Sequence, residues 1–110
     1  MSASNPSPEP DASPEALADA LRDDERAPDA ARRLGELGSA AKEQVPALAA
    51  TLHASRPQAV RLAAAKALKA LEGHAEAAYV ALERASADDD DKVAGAARSA
   101  LNAIGGGEYT

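Results

Sequence analysis

Residues 30–38, AARRLGELG, recur as residues 64–72, AAKALKALE, and again as residues 97–105, ARSALNAIG. The leucines at the centre of the three copies, Leu34, Leu68 and Leu101, are spaced by 34 and 33 residues. An alanine stands four residues before each anchor, and a leucine or isoleucine stands three residues after it. This is the apolar stripe of a helix with a 3.6-residue period. The repeat therefore predicts three equivalent amphipathic helices.

A shorter apolar pattern precedes each of these helices. Its anchors are Leu17 and Leu21, then Val45, Leu48 and Leu52, then Ala78 and Leu82. We name the shorter helix of each pair A and the longer one B. Because no such pair can bury its apolar surface alone, the three pairs are expected to pack on one another.

The composition favours the same fold class. The chain holds 31 Ala against 11 Leu, 4 Val and one Ile, and it has no Trp or Phe. Such a core suits closely packed helices, because alanine has the best helix propensity. A β-sandwich or barrel needs β-branched and aromatic side chains instead. We predict an all-α protein.

Composition also excludes several classes of function. The absence of Cys excludes disulfides, thiolate metal sites and a cysteine nucleophile. No apolar run approaches the roughly 20 residues of a membrane span, and the N-terminus lacks the pattern of a signal peptide. A formal charge of −6 argues against general affinity for nucleic acid or anionic membranes. We expect a monomeric, cytoplasmic protein without a cofactor.

The distribution of Ser, Pro and Gly divides the chain into three segments. We expect a disordered, Ser- and Pro-rich tail over residues 1–13, a repeat domain over 14–105, and a short tail over 106–110. The repeats are placed at about 14–38, 39–73 and 74–105.

Several residues predict helix ends. Ser13 followed by Pro14 is typical of a helix start, and Pro46 indicates either a kink or a start. Ser55-Arg56-Pro57-Gln58 is interpreted as a capping box that opens the second B helix, and Asp91 as the cap of the third. The B helices are predicted to end at Gly38, Gly73 and Gly105-Gly106-Gly107.

Two segments of the chain resemble the HEAT repeat family. The first is Val60-Arg61, Ala64, Leu68, Leu71 and Gly73, and the second, at the equivalent positions, is Val93, Ala97, Leu101, Ile104 and Gly105. The likeness is to short HEAT-like repeats, as in phycobilisome-lyase-type proteins, and covers roughly residues 14–105. It implies a right-handed α-solenoid of about three helix pairs, with the B helices on the concave side. It also implies a scaffold for other proteins, and an Arg61 that ties repeats together through carboxylates.

Helix geometry predicts where the array ends. On one flank of the B helices, the first repeat has Arg26 and Arg33 where the later repeats have Val or Ala. On the opposite flank, the third repeat has Arg98 where the others have Ala. A flank without a neighbour must be polar. We therefore interpret these arginines as caps and three repeats as the whole array.

The side of each B helix that faces away from its A helix is the candidate binding surface. It is rich in alanine and glycine, and small side chains allow a partner helix or an extended peptide to approach closely. The polar residues predicted to contact the partner are Arg32, Lys66, Lys69, Ser99 and Asn102. The alternative is that this face is idle and alanine is merely frequent.

Charge supports a binding role for this layer. The B segments 26–37, 57–72 and 92–104 hold eight Arg or Lys and three Asp or Glu, a balance of +5, so the remainder sums to −11. Such a separation could steer an acidic partner to the B helices.

Catalytic and metal-binding patterns are not found. His53 and His74 have no second imidazole at helical spacing, and Asp88–Asp91 lacks the glycine and glutamate of a calcium loop, so we interpret it as a solvated loop. No phosphate-binding loop or nucleophile elbow is present. We therefore do not expect an enzyme.

The sequence leaves three functions open. The first is a non-catalytic protein-interaction module that binds a partner helix or acidic peptide on the concave B-helix face. The second is nucleic-acid backbone binding on the same face, which few outward cations and no Trp or Phe make less favoured. The third is an accessory subunit of a chromophore-lyase-like enzyme.

Overall fold

In the computed structural model, residues 13–105 are described, and within them the chain is helical and contains no strand. The α-helices are α1 (Pro14–Ala20), α2 (Ala27–Leu37), α3 (Val45–Thr51), α4 (Gln58–Leu71), α5 (Tyr79–Ala85) and α6 (Asp91–Gly105). Two 3-10 segments, Gly38–Gln44 and Glu72–Ala78, lead into α3 and α5. The predictions for residues 1–12 and 106–110 lie outside the described part of the chain.

The helices pack in the order that the repeat predicts. Each short helix contacts the long helix that follows it, so α1 lies on α2, α3 on α4 and α5 on α6. The long helices also contact one another, with α4 lying between α2 and α6. Helix α4 therefore has a long neighbour on both flanks, and it is the centre of the fold.

The core is built from the predicted apolar stripes. All seven anchors of the short helices are buried, as are Leu34 and Leu68 of the long ones. Alanines fill the space between helices, because small side chains let the backbones approach closely. Three stripe positions differ from the prediction: Leu101 and Ile104 are half-buried on α6, which has a long neighbour on only one flank among residues 13–105, and Leu37 is 38% exposed at the end of α2.

The predicted helix start at Ser13 is confirmed, and the structure decides between the two alternatives for Pro46. The Ser13 hydroxyl accepts a hydrogen bond from the Ala16 amide at 3.2 Å, which satisfies one of the free N–H groups of α1. Pro46 lies in the first turn of α3, where its missing N–H costs nothing, so it marks a start and not a kink.

The predicted capping box at Ser55 is wrong. Helix α4 begins at Gln58 and its N-cap is Pro57, whose extended backbone makes no side-chain cap. The Ser55 hydroxyl instead lies 2.9 Å from the His53 ring nitrogen Nδ1. Because a proline disfavours helical geometry in the residue before it, the helix cannot extend back through Arg56 to Ser55.

The cap of α6 is Asp90 and not Asp91. The Asp90 carboxylate accepts hydrogen bonds from the amides of Lys92 at 2.9 Å and Val93 at 3.1 Å. These are the second and third residues of the helix, which an N-cap side chain reaches, whereas Asp91 is already the first helical residue.

The turn after α4 also lies one residue earlier than predicted. The backbone reverses at Glu72, with φ 45° and ψ −116°, and Gly73 follows it. The equivalent turn after α2 occurs at the predicted Gly38, with φ 61° and ψ −132°. Glycine adopts this conformation readily, whereas a glutamate is strained there.

Polar side chains link successive helix pairs. Arg56 donates to the Asp24 carboxylate at 3.0 Å and to the Leu21 carbonyl, and so joins the second pair to the first. Arg61 and Asp88 form an ion pair of 2.7 Å in which the side chains are only 14% and 5% exposed. This pair joins the second helix pair to the third, as predicted for Arg61.

The prediction that Asp88–Asp91 is a solvated loop is therefore wrong for two of its four carboxylates. Asp88 is held by Arg61 and also accepts from the Asp90 amide at 2.8 Å. Asp90 caps α6 and accepts from Gln58 at 3.4 Å. Asp89 and Asp91 are exposed. Two of the four carboxylates are thus part of the junction between α4 and α6.

The arginines predicted to cover the outer flanks are all exposed. Arg26 and Arg33 lie in solvent, while their counterparts in the later pairs are buried. Arg98 is exposed on α6, while Ala31 and Ala65 are buried, and its guanidinium donates to the Ser86 carbonyl at 3.3 Å. Among the helices of residues 13–105, none is long and apolar enough to cross a membrane.

Candidate functional site

The five predicted contact residues lie on α2, α4 and α6. Arg32, Lys66, Lys69 and Asn102 are exposed, and Ser99 is half-buried. They do not form one continuous site, because a groove between α2 and α4 brings together only Arg32 and Lys66.

This α2–α4 groove has a volume of about 440 Å³. Its lining residues are mostly small or apolar: Pro28, Arg32, Gly35 and Glu36 from α2, and Gln58, Ala59, Leu62, Ala63, Lys66, Ala67 and Ala70 from α4. Of these, Leu62 and Ala63 are half-buried and Ala59 and Ala70 are exposed. The groove thus offers a shallow apolar surface with charged residues on both walls, Arg32 and Glu36 on α2 and Lys66 on α4.

The depth of the groove depends on Gly35. A Cβ atom at this position would lie 3.1 Å from the Ala67 Cα and 3.3 Å from the Ala70 Cβ. Such distances are shorter than ordinary van der Waals contacts. The missing side chain allows α2 and α4 to approach at this level, where Gly35 is buried in the groove floor.

The α2 wall carries a charge network that is already paired. Arg32 contacts Asp29 at 2.5 Å and Glu36 at 2.9 Å, and Arg33 contacts Asp29 at 2.9 Å. The hydrogen bond from Arg32 lowers the pKa of Asp29, and the same bond raises the pKa of Arg32. Because two carboxylates already pair with it, Arg32 adds little net positive charge that could attract a partner, although it is exposed.

The α4 wall is different. Helix α4 contains three cationic residues, Arg61, Lys66 and Lys69, and no Asp or Glu. The charge of Arg61 is paired with Asp88 on the other side of the helix. Within residues 13–105, neither Lys66 nor Lys69 has an ion-pair partner. The open positive charge of this face is therefore concentrated on the outer edge of α4.

The α6 part of the predicted surface lies apart from the groove. Ser99 and Asn102 are not among its lining residues, and nothing stands within 4 Å of a Cβ placed on Gly95. Gly95 therefore does not bring a neighbouring helix close, in contrast to Gly35. The two polar residues of α6 are available to solvent but are not gathered into the α2–α4 site.

Sequence reasoning missed Pro28 and Gln58 at one end of the groove. Both could have been found from their spacing, since Pro28 lies four residues before Arg32, and Gln58 lies four before Leu62 and eight before Lys66. These intervals place residues on one face of a helix. The sequence prediction instead places Gln58 in the capping box.

A second concavity, of about 780 Å³, lies between α3 and α5. Its walls include alanines, and Arg61, Asp88 and the exposed His53 border it. The Nδ1 atom of His53 accepts the Ser55 amide at 3.1 Å. Among the residues that the structure describes, no three His, Cys, Asp or Glu lie together in a way that could hold a metal ion.

Comparisons with protein-family models, with curated proteins and with solved structures found no significant match to this chain.

Proposed function

We propose that this protein is a non-catalytic interaction module, a short α-solenoid of HEAT-like helix pairs that binds another protein on its B-helix face. The observation that carries the proposal is the α2–α4 groove. It combines an apolar surface of small side chains with Lys66, which lines it, and Lys69 lies on the next turn of α4, outside the lining; neither lysine has a counterion among residues 13–105. Exposed apolar surface with a charged rim is typical of protein interfaces.

A partner protein fits this face better than a nucleic-acid backbone. Phosphate binding generally uses several outward cations, and each phosphate contact needs its own. Arg32 is neutralised by two carboxylates, and Glu36 adds a negative charge at the groove. Two lysines on a chain of net charge −6 provide little attraction for a polyanion.

The proposal is tested by blocking the groove without changing its charge. In one variant, Ala59→Gln and Ala70→Gln place two larger neutral side chains in the groove at exposed positions. The matched control carries Ala40→Gln and Ala77→Gln, which are also exposed and lie outside the groove. Glutamine is a good helix former, so the groove variant should remain folded.

Wild type, groove variant and control are used to capture proteins from native lysate, after circular dichroism has shown equal helicity. We expect a protein that wild type and control retain and the groove variant loses. A partner retained equally by all three would show that binding occurs elsewhere, and the proposed role of the B-helix face would be wrong.

A further inference from the structure

We infer that the α2–α4 groove binds an acidic amphipathic α-helix, whose carboxylates lie over Lys66 and Lys69 and whose small apolar residues lie on the groove floor. This inference rests on the proposed interaction function and adds the chemical class of the partner. It is carried by three observations: the length of the groove, its floor, and the difference in charge between α2 and the exposed side of α4.

The length suits about three turns of helix. The groove extends along α4 from Gln58 to Ala70. Twelve helical steps at about 1.5 Å each give roughly 18 Å. A partner helix aligned with α4 would therefore contact the groove over about 12 residues.

The floor favours a helix over an extended peptide. Gly35 and Ala63 have little or no side chain, so a partner backbone can approach closely, as between packed helices. Extended proline-rich peptides are instead bound between aromatic side chains. No aromatic residue lines this groove, and Leu62 supplies the largest apolar contact.

The charges determine which edge of the partner is acidic. Lys66 lines the groove, and Lys69 lies outside the lining, three residues further along α4 and so on the neighbouring turn. On the opposite wall Arg32 is already paired with Asp29 and Glu36, so that wall offers no unpaired cation to a second carboxylate. Carboxylates spaced by three or four residues on the α4 side of a bound helix would meet both lysines and avoid Glu36.

The experiment uses three fluorescent 18-residue helical peptides with one shared Ala/Leu face. Their flanking positions carry Glu, Gln or Lys, and binding to the full chain is followed by fluorescence anisotropy. We expect the Glu peptide to bind most tightly and its affinity to fall as salt is raised from 50 to 500 mM, because screening weakens exposed charge pairs.

Two variants with the same change in charge provide the comparison. Lys66→Gln with Lys69→Gln should weaken binding of the Glu peptide by about tenfold, as expected for the loss of two interfacial charge contacts. Lys42→Gln with Lys92→Gln removes two exposed lysines outside the groove and should change the affinity by less than about twofold.

Three outcomes would overturn the inference. The first is that the Gln or Lys peptide binds as tightly as the Glu peptide. If the groove variant with Ala59→Gln and Ala70→Gln then abolishes this binding, the proposed function stands and only the acidic character of the partner is wrong. The second is no binding of any peptide at 1 mM, which leaves the interaction function to the capture experiment. The third is tighter binding of an extended Glu-Pro peptide or of duplex DNA, either of which would replace the helix as occupant.

Discussion

Gly35 of α2 lies against Ala67 of α4 so closely that a Cβ on Gly35 would stand 3.1 Å from the Ala67 Cα. The approach has two consequences. It brings the two long helices close together at the level of Gly35, and the surface above this contact forms the α2–α4 groove. The same glycine therefore contributes both to packing and to the shape of the candidate site.

Two glycines in long helices offer a matched comparison. Gly95→Ala should stabilise the protein by about 1 kcal/mol, because alanine is the better helix former and the new Cβ meets no atom within 4 Å. Gly35→Ala gains the same propensity but forces the α4 backbone to move. We expect it to be at least about 1 kcal/mol less favourable than Gly95→Ala in urea unfolding. Equal effects would mean that α2 and α4 are not in close contact at Gly35.

The backbone of the turn after α4 is strained at Glu72, and a glycine at this position should relieve the strain. Glu72 has φ 45°, in a conformation nearly the same as that of Gly38 after α2. Glu72→Gly should therefore raise the free energy of unfolding by about 1 kcal/mol, although glycine also gains entropy in the unfolded chain. Thermal unfolding provides the measurement, and Glu76→Gly is the control, since it lies in the same 3-10 segment. A Glu72→Gly variant less stable than wild type would contradict the assigned turn.

The Arg61–Asp88 ion pair can be examined by a double-mutant cycle. Arg61→Met leaves a buried carboxylate unpaired, and Asp88→Asn leaves a guanidinium whose Nε already has no hydrogen-bond partner. Each change should destabilise the protein by roughly 2–4 kcal/mol, because a lone buried charge is costly. The double variant should lose at least about 1 kcal/mol less than the sum. Strict additivity in urea unfolding would show that the two side chains do not interact.

Asp90 predicts a pH dependence of stability. The Val93 amide, with smaller contributions from Gln58 and Lys92, lowers the pKa of Asp90 below its ordinary value. Its contribution to stability is therefore complete above the ordinary aspartate pKa of about 3.9, and is lost as pH falls through the lower pKa of the folded state.

Asp90→Asn should retain the cap but remove this titration. We expect the difference in melting temperature between wild type and Asp90→Asn to shrink as pH falls from 6 to 2. Asp89→Asn, which removes an exposed carboxylate one residue earlier, is the control. A difference that stays constant with pH would contradict the role of the ionised Asp90 cap.

The anchors of the core could be predicted from the sequence because they depend on a strong local period. Leu34 and Leu68 recur at the repeat spacing, and both are buried. The flank arginines could be predicted for the same reason, since a comparison between repeats shows which flank is polar. Helix boundaries were less predictable: Asp90 and Asp91, or Glu72 and Gly73, are neighbours in sequence, and the choice depends on which backbone makes the turn.

The site was predictable as a face but not as a groove. Arg32 and Lys66 could be placed on the outer surface from helix geometry alone. The pairing of Arg32 with Asp29 and Glu36 is also implied by the sequence, since the two acids lie three residues before and four residues after it on one helix. The close approach of Gly35 to α4 is a tertiary contact, and no local pattern indicates it.

The most direct test of the central claim is to map the bound acidic helix on the protein by NMR. Amide chemical shifts of the full chain are recorded with and without the Glu peptide. We predict that the largest changes fall on Gly35, Ala63, Lys66 and Ala70, with smaller ones on Ser99 and Asn102. Changes centred on the α3–α5 concavity, around Ala49 and Ala85, would contradict the claim that the α2–α4 groove is the binding site.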